Sequence, residues 1–323
     1  MESHIHREQR ASTIKMAAAY VLCCLIGGTA VFSIRQQIGE NGYPIYLAAS
    51  VRFSGAALGY LLLAYLTSNL KVSRSDAAYL IIGGLCSGAA HVFVYRATKH
   101  LPGSIMTVLF ATCPIIAAFL AWLTRTERIN KGTLAGAAIA ALGIIIVFFD
   151  RLQVPEELWA LRNACIGMVL LSFCNLAVRR LKAAPVLAQG AIFFLAATPV
   201  LWIAYWVYGE RRPPGPLPLY ESACLVYTTC FISGVAFALY LWMMKNLGMM
   251  RTMSCVFFQI IVALVVDAVW ESEALGWVSY VGSAVVVAGV LLEWRLKNRP
   301  SRQTQTIKIL GAPSANGAVH QDA

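Results

Sequence analysis

Residues Ser87–Ser104 read SGAAHVFVYRATKHLPGS, and residues Ser233–Thr252 read SGVAFALYLWMMKNLGMMRT. The likeness continues downstream. The first copy is followed by an apolar span through Pro114–Trp122, the polar link TRTERINKGTLAG (124–136) and AAIAALGIIIVFF (137–149). The second is followed by a span through Gln259–Trp270, the link ESEALGWVSYVG (271–282) and SAVVVAGVLLEW (283–294). A single offset of 146 residues, the step from Ser87 to Ser233, lays Gly88 on Gly234, Leu101 on Leu247, Gly136 on Gly282 and Gly143 on Gly289. One register kept by small residues across four apolar spans marks a duplication. Its unit is far longer than the roughly 20–50 residues of a soluble solenoid repeat and is built from bilayer-length segments. The chain therefore reads as two fused halves of a membrane protein.

The composition agrees. Of 323 residues, 59% are hydrophobic and 13% charged, against about 25% charged in soluble domains. Such a chain cannot cover itself with polar side chains in water. Its net charge of +11 would suggest nucleic acid in a soluble protein. In a membrane protein the excess belongs to cytoplasmic loops, and no nucleic-acid partner is expected. The nine cysteines lie almost all inside apolar spans, without a CxxC pair or histidines at zinc spacing. They read as packing residues, and no metal or cofactor is expected. Nothing resembles a Walker motif, so the chain itself does not consume ATP. Nor is there a nucleophile paired with a base or a pair of carboxylates in the spans, so an enzyme is not expected.

A spanning helix needs about 20 mostly apolar residues. Ten are expected, over about 16–34, 44–66, 77–95, 102–123, 132–149, 163–179, 184–208, 222–244, 250–270 and 275–294. Residues 1–15 are a cytoplasmic N-terminal tail; no signal-peptidase site follows the first apolar run, so that run is retained as a helix. Residues 16–149 form the first five-helix repeat, 150–162 an extracytoplasmic connecting loop, 163–294 the second repeat, and 295–323 a disordered cytoplasmic tail. With both termini inside, 18 of the 26 Lys and Arg (Lys15, Lys71, Arg179 and Lys245 among them) fall on the cytoplasmic side and 7 outside, with Arg52 within a helix. An odd number of spans per half turns the second half upside down. The expected fold is thus all-α and integral to the membrane: ten transmembrane helices in two inverted five-helix repeats, both termini cytoplasmic. Such repeats suit alternating access, with substrate near the midplane where the halves meet.

His91 leads the candidate site residues. Ser87, His91, Tyr95 and Thr98 recur at helical spacing on an apolar helix, and in a bilayer that stripe must face other helices or a water-filled cavity. At the equivalent places the second half has Ser233, Phe237 and Leu241, so the stripe survives on one side of the pseudo-symmetry only. His91 either lines a substrate cavity or makes a structural hydrogen bond between helices. Phe237, its counterpart, is a candidate substrate contact. Arg52 lies close to the midplane of the second span, where a guanidinium costs about 2.5–3.5 kcal/mol on translocon scales. A substrate carboxylate, an acidic side chain or backbone carbonyls must answer it. Gln259, one residue before the counterpart of Pro114 in the duplicated register, is a polar candidate where the first half is apolar. Asn175 and Gln189 are further polar candidates, and Tyr240 and Trp242 offer aromatic faces to a cation or ring. Asp267, a turn before Trp270, is either an interfacial charge that reaches water or, with His91 and Pro114, part of coupling or gating. Gly84 and Gly88, and Gly132, Gly136 and Ala140, form small-xxx-small series for close helix packing.

Several stretches resemble the EamA-type members of the drug/metabolite transporter superfamily. They are AASVRFSGAALGYLLLAYL, with Arg52 at the characteristic arginine; YRATKHLPGS leading to Pro114; Glu127 followed by LAGAAIAALGIIIVF; and Glu271 or Glu273 with YVGSAVVVAGVLL. The resemblance covers about residues 17–294, and departs where Ile26 stands in place of a frequent tryptophan before Gly27. It implies a secondary transporter in a cell (inner) membrane, often an exporter, of small organic metabolites, amino acids or drugs. A proton, ion or substrate gradient would supply the energy. The alternative is a flippase, or flippase subunit, for a lipid-linked sugar. The expected partners are a small-molecule substrate and the lipid bilayer. Glycine faces can pack within one chain or between two, so a homodimer stays open.

Overall fold

A computed structural model describes residues 2–39, 42–68, 71–123, 135–136, 138–139, 142–143, 145–146, 155–181, 184–208, 219–247, 252, 255–270 and 277–297. All regular structure among them is helical. A helix suits apolar runs of this length in lipid, because it satisfies its backbone groups within the segment. Six runs are long and apolar enough to cross a membrane: Ile14–Gln37, Ile45–Leu66, Arg74–Thr98, Leu158–Val178, Val186–Tyr208 and Leu219–Leu247. Ile105–Ala117, Phe258–Trp270 and Tyr280–Gly289 are shorter apolar helices.

In chain order the elements are α1 (Glu2–Gly28), α2 (Ala30–Gln37), α3 (Ile45–Leu66), α4 (Arg74–Thr98), α5 (Gly103–Phe110) and α6 (Cys113–Leu123). The second copy supplies α7 (Pro155–Val178), α8 (Val186–Tyr208), α9 (Leu219–Tyr227), a π-helical segment (Thr228–Ala236), α10 (Phe237–Leu247), α11 (Cys255–Trp270) and α12 (Trp277–Lys297). Local chemistry sets several starts. Pro44 and Pro102 precede α3 and α5, and the Ser73 hydroxyl accepts from the Asp76 amide at the head of α4.

The two copies meet in two different ways. On one side the contact is dry: α4 packs on α7 and α8, and α3 runs along α8. A Cβ on Gly84 would collide with the Phe193 carbonyl, one on Gly88 would lie 2.6 Å from the Ala197 carbonyl oxygen, and one on Gly167 would lie 2.8 Å from Val94. Small residues let these backbones touch, which is how helices associate where lipid gives no hydrophobic drive. On the other side α9 and the π segment meet α2 and α3, and hydrogen bonds line that seam. Tyr43 meets Ser222 (2.7 Å), Thr29 meets Tyr227 (2.7 Å), and the Tyr60 hydroxyl donates to the Gly234 carbonyl (2.5 Å).

Several boundaries differ from the sequence expectation. Helix α1 starts at Glu2, inside the polar tail; the first run continues to Gln37 rather than ending near 34. Helix α7 begins at Pro155, within the stretch read as a connecting loop, and α12 extends to Lys297. Hydropathy stops at the first polar residue, whereas a helix continues while its backbone groups need partners. Residues 298–323 and most of the expected fifth span lie outside the described residues.

Candidate functional site

Arg52 is the hub. It is 5% exposed, and three elements beside α3 converge on it. Its Nε donates to the Ser233 hydroxyl of the π segment at 2.8 Å, and its Nη1 donates to the Tyr95 hydroxyl of α4 at 3.2 Å. Tyr95 also accepts from Gln37 Nε2 (3.2 Å), and Gln37 Oε1 accepts from the Thr228 hydroxyl (3.1 Å). Gln37, Arg52, Tyr95, Thr228 and Ser233 are all buried. They join α2, α3 and α4 of the first copy to the π segment of the second. No acidic side chain among the described residues pairs with Arg52.

His91 sits one turn below Tyr95 on α4. Its Nδ1 lies 2.8 Å from the Ser87 carbonyl oxygen and 3.4 Å from the Ser87 hydroxyl. A carbonyl can only accept, so the proton is assigned to Nδ1, and Nε2 of the neutral ring is left as an acceptor. The ring meets Phe53 edge-on, centroids 4.7 Å apart. Phe53 in turn packs on Phe194 (5.3 Å), and Phe194, Phe193, Phe237 and Tyr60 stack into one aromatic block. Phe237 therefore stands with this block, close to the His91 and Arg52 centre.

Beyond the aromatic block a cavity of about 340 Å³ opens where the end of α7, the start of α8 and the end of α10 meet. Arg179, Lys245 and Gln189 line it, together with Val178, Leu181 and Leu241. Val178 and Leu241 also belong to the apolar cluster that holds Phe53, Tyr60 and Tyr95. One apolar cluster thus adjoins both the cation-lined cavity and the Arg52 network. At the opposite end, the Arg96 guanidinium lies between Trp159 (4.7 Å) and Tyr208 (4.8 Å), and Tyr208 stacks on Tyr46 at 4.9 Å.

The remaining candidates lie elsewhere. Gln259 is on the α1–α11 contact, donating to the Cys23 carbonyl at 3.3 Å beside Gly27. Tyr240 packs with Met16, Tyr20 and Trp242 around Cys23, Cys24 and Cys255. Asn175 is half-buried on α7, with no side-chain bond to the Arg52 network. Gln189 donates to the Ala184 carbonyl at 2.6 Å. Asp267 corrects the expectation of a water-exposed interfacial charge: it is 2% exposed. Its carboxylate faces Gly103, the first residue of α5, where a negative group suits the helix dipole. Pro114 falls within α6, and its side chain lies outside the described residues. Thr98 turns back to the Val94 carbonyl.

Sequence reasoning missed Gln37, Thr228 and Ser233 as site members. Gln37 follows Arg35 and Gln36, a polar run that looks like a helix end. Ser233 was visible as the counterpart of Ser87 but carried no charge to mark it. The π segment, Thr228–Ala236, that carries two of these three residues shows itself only in the fold. Such i→i+5 turns are rare and gather at functional sites.

Comparison with known proteins agrees with the duplication. The EamA-like transporter family matches residues 13–149 and again residues 158–294. The uncharacterized inner membrane transporter YedA of Escherichia coli (strain K12) is 27% identical over 272 residues, covering 83% of this chain and 87% of its own. A probable terminal-alkyne amino-acid exporter of Streptantibioticus cattleyicolor is 26% identical over 298 residues, covering 86% of this chain and 93% of its own. One solved crystal structure superposes with a TM-score of 0.64 at 19% identity, covering 90% of this chain and 99% of the other. That likeness shows the shared fold.

Proposed function

The chain belongs to the EamA-like transporter family, whose domain it carries in two copies, and on that premise we propose a secondary transporter of the inner membrane that exports a small polar organic metabolite by alternating access. The family is one of transporters rather than enzymes. In this reading the chain makes ten spans in two inverted repeats with both termini cytoplasmic, and the substrate sits between the repeats. The observation that carries it is the buried network from Gln37 through Tyr95 and Arg52 to Ser233. Polar groups at that depth are costly unless they serve one another or a ligand, and these lie where the two copies meet.

The asymmetry of the contacts supports a moving part. The glycine-packed contact of α4 with α8 resists separation, since its atoms have no better partner in lipid or water. The hydrogen-bonded seam along α9 and the π segment can exchange its bonds for water or substrate as it opens. Ser87, His91, Tyr95, Arg52 and Phe237 form the substrate-binding region in this proposal. In this proposal Asp267, buried where α11 meets the start of α5, gates that contact. The test is flux: purified protein in proteoliposomes should exchange labelled solute across the membrane, and His91→Ala should not.

An apolar groove of about 230 Å³ between α3 and α8, lined by Leu58, Leu61 and Leu195, favours a second reading as a flippase with an acyl chain in the groove. Movement of a labelled lipid, without solute flux, would select it.

A further inference from the structure

We propose that Arg52 is the anion-recognition residue of the central site and that the transported solute carries a carboxylate. The inference rests on the transporter reading above and deepens it. It starts from a surplus of donors. Arg52 spends Nε on Ser233 and Nη1 on Tyr95, both neutral hydroxyls, and Nη2 has no acceptor among the described residues. Tyr95 accepts two hydrogen bonds, from Arg52 and from Gln37, and its own hydroxyl proton finds no acceptor among them either. Two donors, Arg52 Nη2 and the Tyr95 hydroxyl, therefore stand without an acceptor beside one full positive charge, with no counter-ion among the described residues. Buried donors are normally satisfied, and a buried guanidinium is normally paired with an anion. What the protein lacks here is an acceptor with negative charge and several lone pairs.

A carboxylate fits that lack. Its two oxygens match the fork of a guanidinium, and such charge-assisted pairs are stronger than the neutral bonds they replace. Ser233 and Tyr95 then act as placeholders that hold the guanidinium while the site is empty. His91 complements this arrangement. With Nδ1 donating to Ser87, Nε2 is an acceptor that can take a proton donor on the same solute, such as an ammonium group. The cavity at the other side of the aromatic block carries Arg179 and Lys245, and a cation-lined mouth raises the local concentration of an anion. The solute class read from these groups is a carboxylate whose apolar part lies against Phe53, Phe194 and Phe237.

The experiment is a thermal-shift titration of detergent-purified full-length protein with matched triples: L-phenylalanine, its amide and 2-phenylethylamine; L-methionine, its amide and its decarboxylated amine; and L-propargylglycine with its amide and amine. Inorganic phosphate is a separate arm. Wild type, Arg52→Gln and Ser233→Ala are compared. A ligand of the native state raises the melting temperature by mass action. Within at least one triple the acid alone should stabilise wild type, and Arg52→Gln should lose that response. Ser233→Ala removes a competing acceptor while keeping the charge, and should bind the acid about fivefold more tightly. That gain also decides the matter if Arg52→Gln does not fold, because a purely structural Arg52–Ser233 bond predicts lower stability without tighter binding. Stabilisation by amines or amides equal to that by acids, stabilisation by phosphate alone, or no stabilising acid at all would each overturn the proposal. Flux of the same compounds in proteoliposomes separates the two readings. Amine flux that survives Arg52→Gln sinks the carboxylate and leaves the transporter, whereas acid binding without flux of any compound sinks the transporter and leaves the anion site.

Discussion

The Nε of Arg52 donates to the hydroxyl of Ser233 over 2.8 Å, across 181 residues of sequence, and ties the second span to the π segment of the opposite copy. Four more side-chain bonds cross the same seam, from Thr29, Gln37, Tyr43 and Tyr60. Opening the bundle on this side means breaking them together. Tyr60→Phe should therefore cost about 1 kcal/mol of stability and favour the open seam. Thermal unfolding in detergent measures the first effect. Faster labelling of a cysteine placed at Thr229 measures the second, and unchanged labelling would count against the seam as the moving contact.

Gln37 serves two partners, donating to Tyr95 and accepting from Thr228. Gln37→Leu leaves a buried threonine hydroxyl with a poorer set of acceptors and releases Tyr95. A loss of about 1–3 kcal/mol is expected, read as a lower melting temperature, together with slower solute exchange. Full exchange in a protein of wild-type stability would remove Gln37 from the network.

Gly88 is a backbone contact rather than a binding residue. An added Cβ would stand 2.6 Å from the Ala197 carbonyl oxygen and 3.0 Å from the Val200 side chain. Gly88→Ala should force α4 and α8 apart at a cost of about 1–3 kcal/mol, while the same change at Gly59, where a Cβ meets nothing within 4 Å, should be silent. Melting temperatures of the two variants make the comparison; equal effects would contradict the close packing.

Membrane orientation can be read by cysteine labelling. With Cys165 and Cys230, the exposed native cysteines, replaced by serine, Lys245→Cys and Arg180→Cys should react with an impermeant maleimide only from the cytoplasmic side. Lys99→Cys should react only from outside. The reverse pattern would invert the topology and with it the direction proposed for transport.

The helical architecture was legible because two physical signals are coarse and redundant. Apolar runs of bilayer length recur, and the offset from Ser87 to Ser233 repeats their order. His91, Tyr95 and Arg52 were legible too, since each is polar within an apolar run and lipid makes that expensive. Gln37 and Thr228 were not, because their role comes from partners 58 and 191 residues away, which no local pattern records. Asp267 was misplaced for a related reason. Its distance from the helix end suggested water, but the start of α5 covers it. The π segment, Thr228–Ala236, has no compositional mark that separates it from the α-helix of its counterpart span.

The most direct measurement is counterflow in proteoliposomes preloaded with a mixture of unlabelled amino acids, following entry of labelled L-phenylalanine, L-methionine and L-propargylglycine for wild type and His91→Ala. Wild-type vesicles should show a transient overshoot of at least one label, and His91→Ala vesicles holding the same amount of protein should show none. Overshoot of the same size in both would contradict the central site on α4, and no overshoot above protein-free vesicles for any label would contradict the proposed transporter of a carboxylate-bearing solute.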